Sequence, residues 1–405
     1  MKVRDPKSEA MGRFGHAVLL GLVLVLAIGT ASAGSAAVAA DSRSVEAVAS
    51  EPAGSVLAVA PLRQELWLPG TGEAVVLTYV TQNTFGESGT STGVVFLPEG
   101  EAPQGGWPVI SWAHGTSGLG DSCAPSVMGP ALPERDRDHL AKFLAQGYAI
   151  VASDYAGLGT PGLHAYLDGR TTAHNVVDMV KAGYQWASTL PAGRHLARKW
   201  VAVGQSQGGG AAIYTARYAT EFGGSGLDYR GAVGTGTPAY IENLLLPIGP
   251  KLPPVALTPG LTAYLTYLFA SLRFSHPELG IDDVLTDTGR KYLTMAETEC
   301  VVEFEGHLKG VSIGDYFTTL LATLPNFGST VNAYMKMPED GFDKPFFMGH
   351  GILDTDVPYA TTLLYVAALK LHSQPVTFRS YLSDHSGTLV QSERDTAPFI
   401  AKLFS

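Results

Sequence analysis

Trp200-Val-Ala-Val-Gly204-Gln-Ser206-Gln-Gly208-Gly-Gly-Ala-Ala-Ile213 changes character at its centre. Ahead of Gly204 it is a short apolar run rich in Val, the composition of a buried strand, and beyond Gln207 it is small and Ala-rich, which suits a helix. The junction, Gly204-Gln205-Ser206-Gln207-Gly208, has the form G-x-S-x-G. Where a strand turns at once into a helix, the residue at the turn is strained and its side chain is left exposed. The flanking glycines are needed because a Cβ at either would meet the neighbouring strand or helix. Ser206 is therefore the candidate nucleophile, opening a helix over residues 207–220; the plainer alternative is a helix N-terminal hydroxyl in a glycine-rich turn. The same pattern recurs at Gly310-Val-Ser312-Ile-Gly314, but His307-Leu-Lys ahead of it is no buried strand. Context assigns the role to Ser206 rather than Ser312.

Outward from this junction, strand-like and helix-like stretches alternate. Residues 73–81 and 91–97 read as an opening strand pair, 107–113 as a short apolar strand, 134–146 as a helix closed by Gly147, and 148–153 as the next strand. Val176, Val177, Val180, Tyr184 and Ala187 recur at helical spacing within 175–190. Residues 200–203 and 229–234 are strands, and 345–348, 357–371, 375–382 and 387–403 give strand, helix, strand, helix. Strands separated by helices imply an α/β fold with a mostly parallel central sheet flanked by helices. The alternation breaks over 238–338, where Pro247, Pro250, Pro253, Pro254 and Pro259 cluster before mainly helical sequence. This reads as a cap inserted at the sheet's C-terminal edge, where such proteins bind ligands. The chain accordingly divides into an N-terminal segment (1–33), an arm or linker (34–60), the first part of the core (61–237), the cap (238–338) and the rest of the core (339–405).

A serine hydroxyl needs a base within hydrogen-bond reach, and the base needs an orienting carboxylate. After a G-x-S-x-G serine these partners follow in the order Asp, then His. Asp354 comes just after the strand at 345–348 and is the candidate acid; Asp356, two residues on, is its rival, with capping of the helix near Val357-Pro358 as its plainer role. His385 follows the last strand and is the candidate base. His276 and His307 fall in the cap, His372 competes in the C-terminal part, and His350 is too close in sequence to Asp354 to fill the last place. The negative oxygen of a tetrahedral intermediate requires amides already aimed at it. The amide of Gln207 is one expected donor. The other comes from His114-Gly115-Thr116, after the strand at 107–113, with Thr116 favoured and Gly115 next; a plain turn is the alternative there.

Lys2, Arg4, Lys7 and Arg13, an apolar run over 17–28 and Ala31-Ser32-Ala33 form an export signal, too short in its apolar part to span a bilayer. Ala37-Val38-Ala39 is a second cleavage site. The 405 residues carry 27 Lys+Arg against 37 Asp+Glu, a net −10, and loss of residues 1–33 leaves 23 against 35. That balance disfavours nucleic acid and an electrostatic membrane anchor. Export puts the two cysteines, Cys123 and Cys300, in an oxidising compartment, where a bond between them is expected. No metal-ligand spacing is visible, so neither metal nor cofactor is expected.

Together these residues resemble the α/β-hydrolase fold from about Leu62 to the C-terminus, and within it the secretory lipase family of the lipase A type. The resemblance rests on His114-Gly115-Thr116, Cys123-Ala-Pro-Ser126, Asp154-Tyr-Ala-Gly-Leu-Gly159 followed by Tyr166, Gly204-Gln-Ser-Gln-Gly208 and Asp354-Thr-Asp-Val-Pro-Tyr359. It implies a secreted ester hydrolase with a cap between the sixth and seventh core strands. Cysteine pairing is frequent in that family, which supports a Cys123–Cys300 bridge, although this chain lacks further cysteines that some members carry. The resemblance also implies an ester of a small molecule or lipid as substrate, cleaved by Ser206, Asp354 and His385 through an acyl-enzyme.

Leu261, Tyr264, Leu265, Leu268, Phe269 and Leu272 form one broad apolar helix face in the cap. It suits an acyl-chain wall or lid, with transient contact of the cap with a lipid interface, and it equally suits packing of the cap on the core. Lipase, short-chain esterase, polymer-linked ester hydrolase, acyltransferase and amidase stay open on these residues. A non-catalytic binding protein would not need all three candidates in order, and serine at 206 disfavours dehalogenase chemistry, which needs aspartate there.

Overall fold

The computed structural model describes residues 50–253 and 256–405. The export segment 1–33 and the arm as far as residue 49 lie outside the described residues. Among the described residues nine strands form one sheet: β1 (Val56–Pro61), β2 (Thr71–Gln82), β3 (Ser88–Pro98), β4 (Trp107–Ala113), β5 (Ala149–Ser153), β6 (Leu196–Gln205), β7 (Asp228–Thr235), β8 (Phe346–Gly351) and β9 (Val376–Tyr381). Their spatial order is β1-β2-β3-β5-β4-β6-β7-β8-β9. The strands from β5 across to β9 pair in parallel, and β1, β2 and β3 are antiparallel. This is the α/β-hydrolase architecture.

Strand β1 corrects the reading of residues 34–60 as an arm or linker: Val56–Pro61 pairs with β2 at the sheet edge. Five of its six side chains are exposed, so it has no inward–outward alternation from which a strand could be read. The other expected elements form at their expected places, with ends displaced by a few residues.

Among the described residues the helices longer than one turn are α1 (Pro133–Ala145), α2 (Gly169–Ala187), α3 (Gln207–Gly223), α4 (Pro259–Ser275), α5 (Asp287–Ala296), α6 (Val301–His307), α7 (Phe327–Met335), α8 (Tyr359–Leu371) and α9 (His385–Phe404). Val177 and Val180 of α2, Ala212 and Ile213 of α3 and Tyr365 of α8 pack on one face of the sheet. Leu140 and Phe143 of α1 and Leu389 and Ile400 of α9 pack on the other. The inner strands β4, β5 and β8 thus run between two apolar layers, which is why their sequences are near-continuously apolar rather than alternating.

Between β7 and β8 the chain leaves the sheet and builds α4 to α7. Counted from β2, this lies between the sixth and seventh strands. The insertion has a core of its own around Tyr267, Phe269, Phe304, Tyr316, Phe317 and Phe327, into which Leu119 and Tyr166 reach from the rest of the molecule. Cys123 and Cys300 are bonded across 177 residues of sequence, tying the start of α6 to the loop after β4. Closure of a loop that long restricts the unfolded chain by about 4–5 kcal/mol in the chain-entropy account.

Candidate active site

The C-terminal ends of β4, β6, β8 and β9 bring the candidate residues to one edge of the sheet. Strand β6 ends at Gln205, and α3 begins at Gln207. Ser206 between them has φ 61° and ψ −124°, a strained backbone that a serine adopts only where the surroundings enforce it. The enforcement is close packing of backbone. A Cβ on Gly208 would lie 1.9 Å from the carbonyl oxygen of Ala113, and one on Gly204 would lie 2.1 Å from that of Gly208. Only glycine lets α3 start against the end of β4.

His385, the first residue of α9, is buried. Its Nε2 lies 2.8 Å from Ser206 Oγ and its Nδ1 lies 2.6 Å from Asp354 Oδ2. Beside a carboxylate, Nδ1 carries the proton, which leaves the Nε2 lone pair facing the serine hydroxyl. Asp354 Oδ1 accepts the N–H groups of Asp356 at 2.9 Å and Val357 at 2.8 Å. Its Oδ2 also meets His350 Nε2 at 3.1 Å. Burial alone would push the Asp354 carboxyl up, but the hydrogen bonds from His350 and His385 outweigh it and hold the group well below the usual carboxylate range.

His350 is the residue that sequence reasoning passed over. It fails the chain-order test for the base and yet touches the same carboxylate. Its Nε2 faces two acceptors, Asp354 Oδ2 and the Val357 carbonyl oxygen at 3.1 Å, so it bears a hydrogen; Nδ1 meets Thr362 Oγ1 at 3.0 Å. Strand β8 ends between His350 and Asp354, and only the turn after Gly351 brings them together, which no sequence period signals.

Asp356 does not cap a helix. Helix α8 starts at Tyr359 with Pro358 ahead of it and no side-chain cap, because the turn at 354–357 is closed by Asp354 itself. Asp356 instead lies on the cavity wall beside Ser206, where burial pushes its carboxyl up, with His385 opposing. The remaining alternatives lie elsewhere. Ser312 accepts the Gly314 N–H at 3.2 Å at the start of a short turn. His276 pairs with Glu278 and His307 with Glu299, and His372 ends α8.

The loop after β4 lies against Ser206: a Cβ on Gly115 would lie 3.7 Å from that of Ser206. Thr116 Oγ1 is 2.6 Å from Tyr166 Oη, and Tyr155 donates to the His114 carbonyl oxygen at 3.0 Å while stacking on its ring. Gln207 supplies the first N–H of α3, which has no acceptor within the helix. Its side chain is fixed by His164, Nε2 to Nε2 at 2.8 Å. The His164 Nδ1–H donates to the Ala156 carbonyl, so the amide of Gln207 is the donor in that contact.

Two cavities meet at Ser206. One, of about 350 Å³, is walled chiefly by aliphatic side chains, among them Leu244, Leu257, Leu261, Leu265 and Leu268. The other, of about 90 Å³, has a mixed wall, with His114, Thr116, Arg135, Gln205, His385 and Ser386 beside Pro125, Pro130, Ala131 and Leu132. Helix α4 therefore divides its apolar residues. Leu261, Tyr264, Leu265 and Leu268 face the larger cavity, and Phe269 and Leu272 lie wholly inside the insertion's core.

With this geometry in place, the model of the secretory lipase family matches from Pro133 to Phe304. That match takes in 172 of the 405 residues. No curated protein matches it in sequence. Among solved structures it is similar to Candida antarctica lipase A in its closed state, with a TM-score of 0.72 and 19% identity over 88% of this chain and 83% of that one. It is also similar to the rice cell wall degrading esterase of Xanthomonas oryzae, with a TM-score of 0.70 and 18% identity over 87% and 98%. At these identities the likeness is one of fold; the lipase family match covers α1 to α6 and includes Ser206, while Asp354 and His385 lie beyond it.

Proposed function

We propose that this secretory lipase relative cleaves carboxylic esters by a Ser206–His385–Asp354 relay through an acyl-enzyme. The observation that carries the reading is the unbroken hydrogen-bonded line from Ser206 Oγ through His385 to Asp354, 2.8 and 2.6 Å, opening into an apolar cavity. Ser206 Oγ attacks the ester carbonyl carbon as its proton passes to His385 Nε2. Asp354, held anionic by its donors, stabilises the imidazolium and keeps the ring oriented. The N–H of Gln207, at the positive end of α3, meets the developing oxyanion, with an amide of Gly115 or Thr116 on its other side; removing one such donor costs roughly 3 kcal/mol of transition-state stabilisation. Collapse releases the alcohol with the His385 proton, and water then repeats the sequence on the acyl-enzyme.

The aliphatic cavity supports an acyl group of several carbons as substrate, since burying each methylene there gains about 0.8 kcal/mol. The disulfide and the basic–apolar–small N-terminal sequence support export. Ser206→Ala is expected to lower turnover of p-nitrophenyl esters by at least roughly a thousandfold while the protein stays folded. Turnover retained by a folded Ser206→Ala protein would reject the reading.

A further inference from the structure

The two cavities at Ser206 are chemically unlike, and the position of His385 decides which half of the ester each receives. Ser206, Tyr264 and Asp356 stand on both walls, but His385 lines only the smaller chamber, the more polar of the two although Pro125, Pro130, Ala131 and Leu132 also wall it. When the acyl–oxygen bond breaks, the alkoxide oxygen takes the proton that His385 Nε2 received from Ser206. That transfer requires the oxygen within hydrogen-bond reach of Nε2. The alcohol therefore leaves on the side of the polar chamber. The carbonyl oxygen is directed to the Gln207 amide, and the acyl chain is left the aliphatic cavity.

Resting on the ester-hydrolase reading, we propose that the polar chamber selects esters of a short, hydroxyl-bearing alcohol, and that Arg135 and Ser386 are the residues that read its hydroxyl. Arg135, in the first turn of α1, donates from Nε to Asp136 Oδ1 at 2.7 Å and from Nη1 to Ser386 Oγ at 3.1 Å, with Nη2 in an ion pair 2.7 Å from the same Asp136 oxygen. Those contacts use three of the five guanidinium N–H groups, and Ser386, which accepts from Arg135, keeps its own O–H to donate. A hydroxyl in the chamber would meet donors of both kinds and Ser386 Oγ as an acceptor. A methyl in the same place would bury these groups without a partner. The chamber, at about 90 Å³, falls well below the size of a drug-sized ligand pocket, so it suits an alcohol of a few heavy atoms rather than one carrying further chains.

The test is a matched ester pair, 2-hydroxyethyl octanoate and propyl octanoate, which differ by a terminal hydroxyl for a methyl. kcat/KM is measured for both on the full chain and on its Arg135→Gln and Ser386→Ala variants, together with the octanoate-to-butyrate ratio of the propyl esters. The wild-type protein is expected to prefer the hydroxyethyl ester about tenfold. Either substitution should bring that ratio towards one and leave the octanoate-to-butyrate ratio in place. A purely structural role for Arg135 in holding the residue next to His385 would slow both octanoates equally and keep their ratio, and that result overturns the proposal. So does a wild-type ratio near one. Failure of the underlying reading looks different: the wild type then turns over neither octanoate, or a folded Ser206→Ala protein keeps its activity.

Discussion

Asp354 is a carboxylate with four donors, and one of them, His350, belongs to none of the three candidate roles. Two backbone N–H groups fix Oδ1, and His385 and His350 share Oδ2. A carboxylate held from four directions cannot rotate away from the imidazole it orients. A hydrogen bond to a charged group contributes about 1.5–3 kcal/mol, so losing the His350 contact weakens both the position and the charge of Asp354. His350→Leu is expected to lower kcat on a soluble ester roughly ten- to a hundredfold with KM nearly unchanged. His350→Gln keeps a side-chain N–H donor and should recover much of the loss. Steady-state kinetics on both variants checks this, and a change in melting temperature with kcat intact would reduce His350 to a packing residue.

At the scale of the element, α4 shows what was legible in the sequence and what was not. Its i, i+3, i+4 apolar spacing predicts the helix, and Pro259–Ser275 forms it. The same spacing leaves two uses for the face open, a cavity wall or a packed core, because both take aliphatic and aromatic residues. The helix has both uses, divided along its circumference. The turn at Ser206 was legible because backbone crowding admits only glycine at 204 and 208, and the meeting of Asp354 and His385 beside it because each follows a strand end. Asp356 as a cavity wall, Arg135 above the polar chamber and β1 at the edge depend on long-range packing that leaves no local period. The division of α4 predicts two separable effects. Leu265→Trp should fill the aliphatic cavity and shift the optimum of an acyl-chain-length series to shorter chains, with little loss of stability. Phe269→Ala should cost about 3–5 kcal/mol of stability and leave the chain-length optimum where it was. Urea unfolding and the ester series, measured on both variants, check the division; a shifted optimum in Phe269→Ala would mean that the two faces act as one.

Across the whole molecule, the sheet, its helices and the insertion are joined through the loop between β5 and α2. Asp154 accepts the Ser126 N–H at 2.9 Å and the Thr92 hydroxyl at 2.7 Å. His164 takes the Gln207 side chain on its ring and the Ser271 hydroxyl of α4 on its carbonyl oxygen at 2.8 Å. Burial, with His114 adding to it and the Ala156 carbonyl opposing, lowers the His164 pKa from 6.5 to about 3. The unfolded chain therefore binds a proton at this residue from pH 6.5 downwards, and the folded chain does not until about pH 3. The fold's stability from a neutral His164 is complete above pH 6.5 and is lost as pH falls towards 3, at about 1.4 kcal/mol per pH unit. Asp136, Asp154, Asp168 and Asp178 have carboxyls pushed up by burial and act in the opposite sense, favouring the fold as pH falls. They are present equally in a variant that changes only His164, so a comparison removes them. His164→Gln, which cannot titrate, should be less stable than the wild type at pH 7.5 through lost packing between Tyr155 and Tyr166. Between pH 6.5 and 4.5 the wild type should then lose about 2 kcal/mol relative to the variant. Urea unfolding of both proteins at several pH values reads this directly: converging curves are expected, and parallel curves would mean that the buried imidazole accepts its proton as readily inside the fold as outside it.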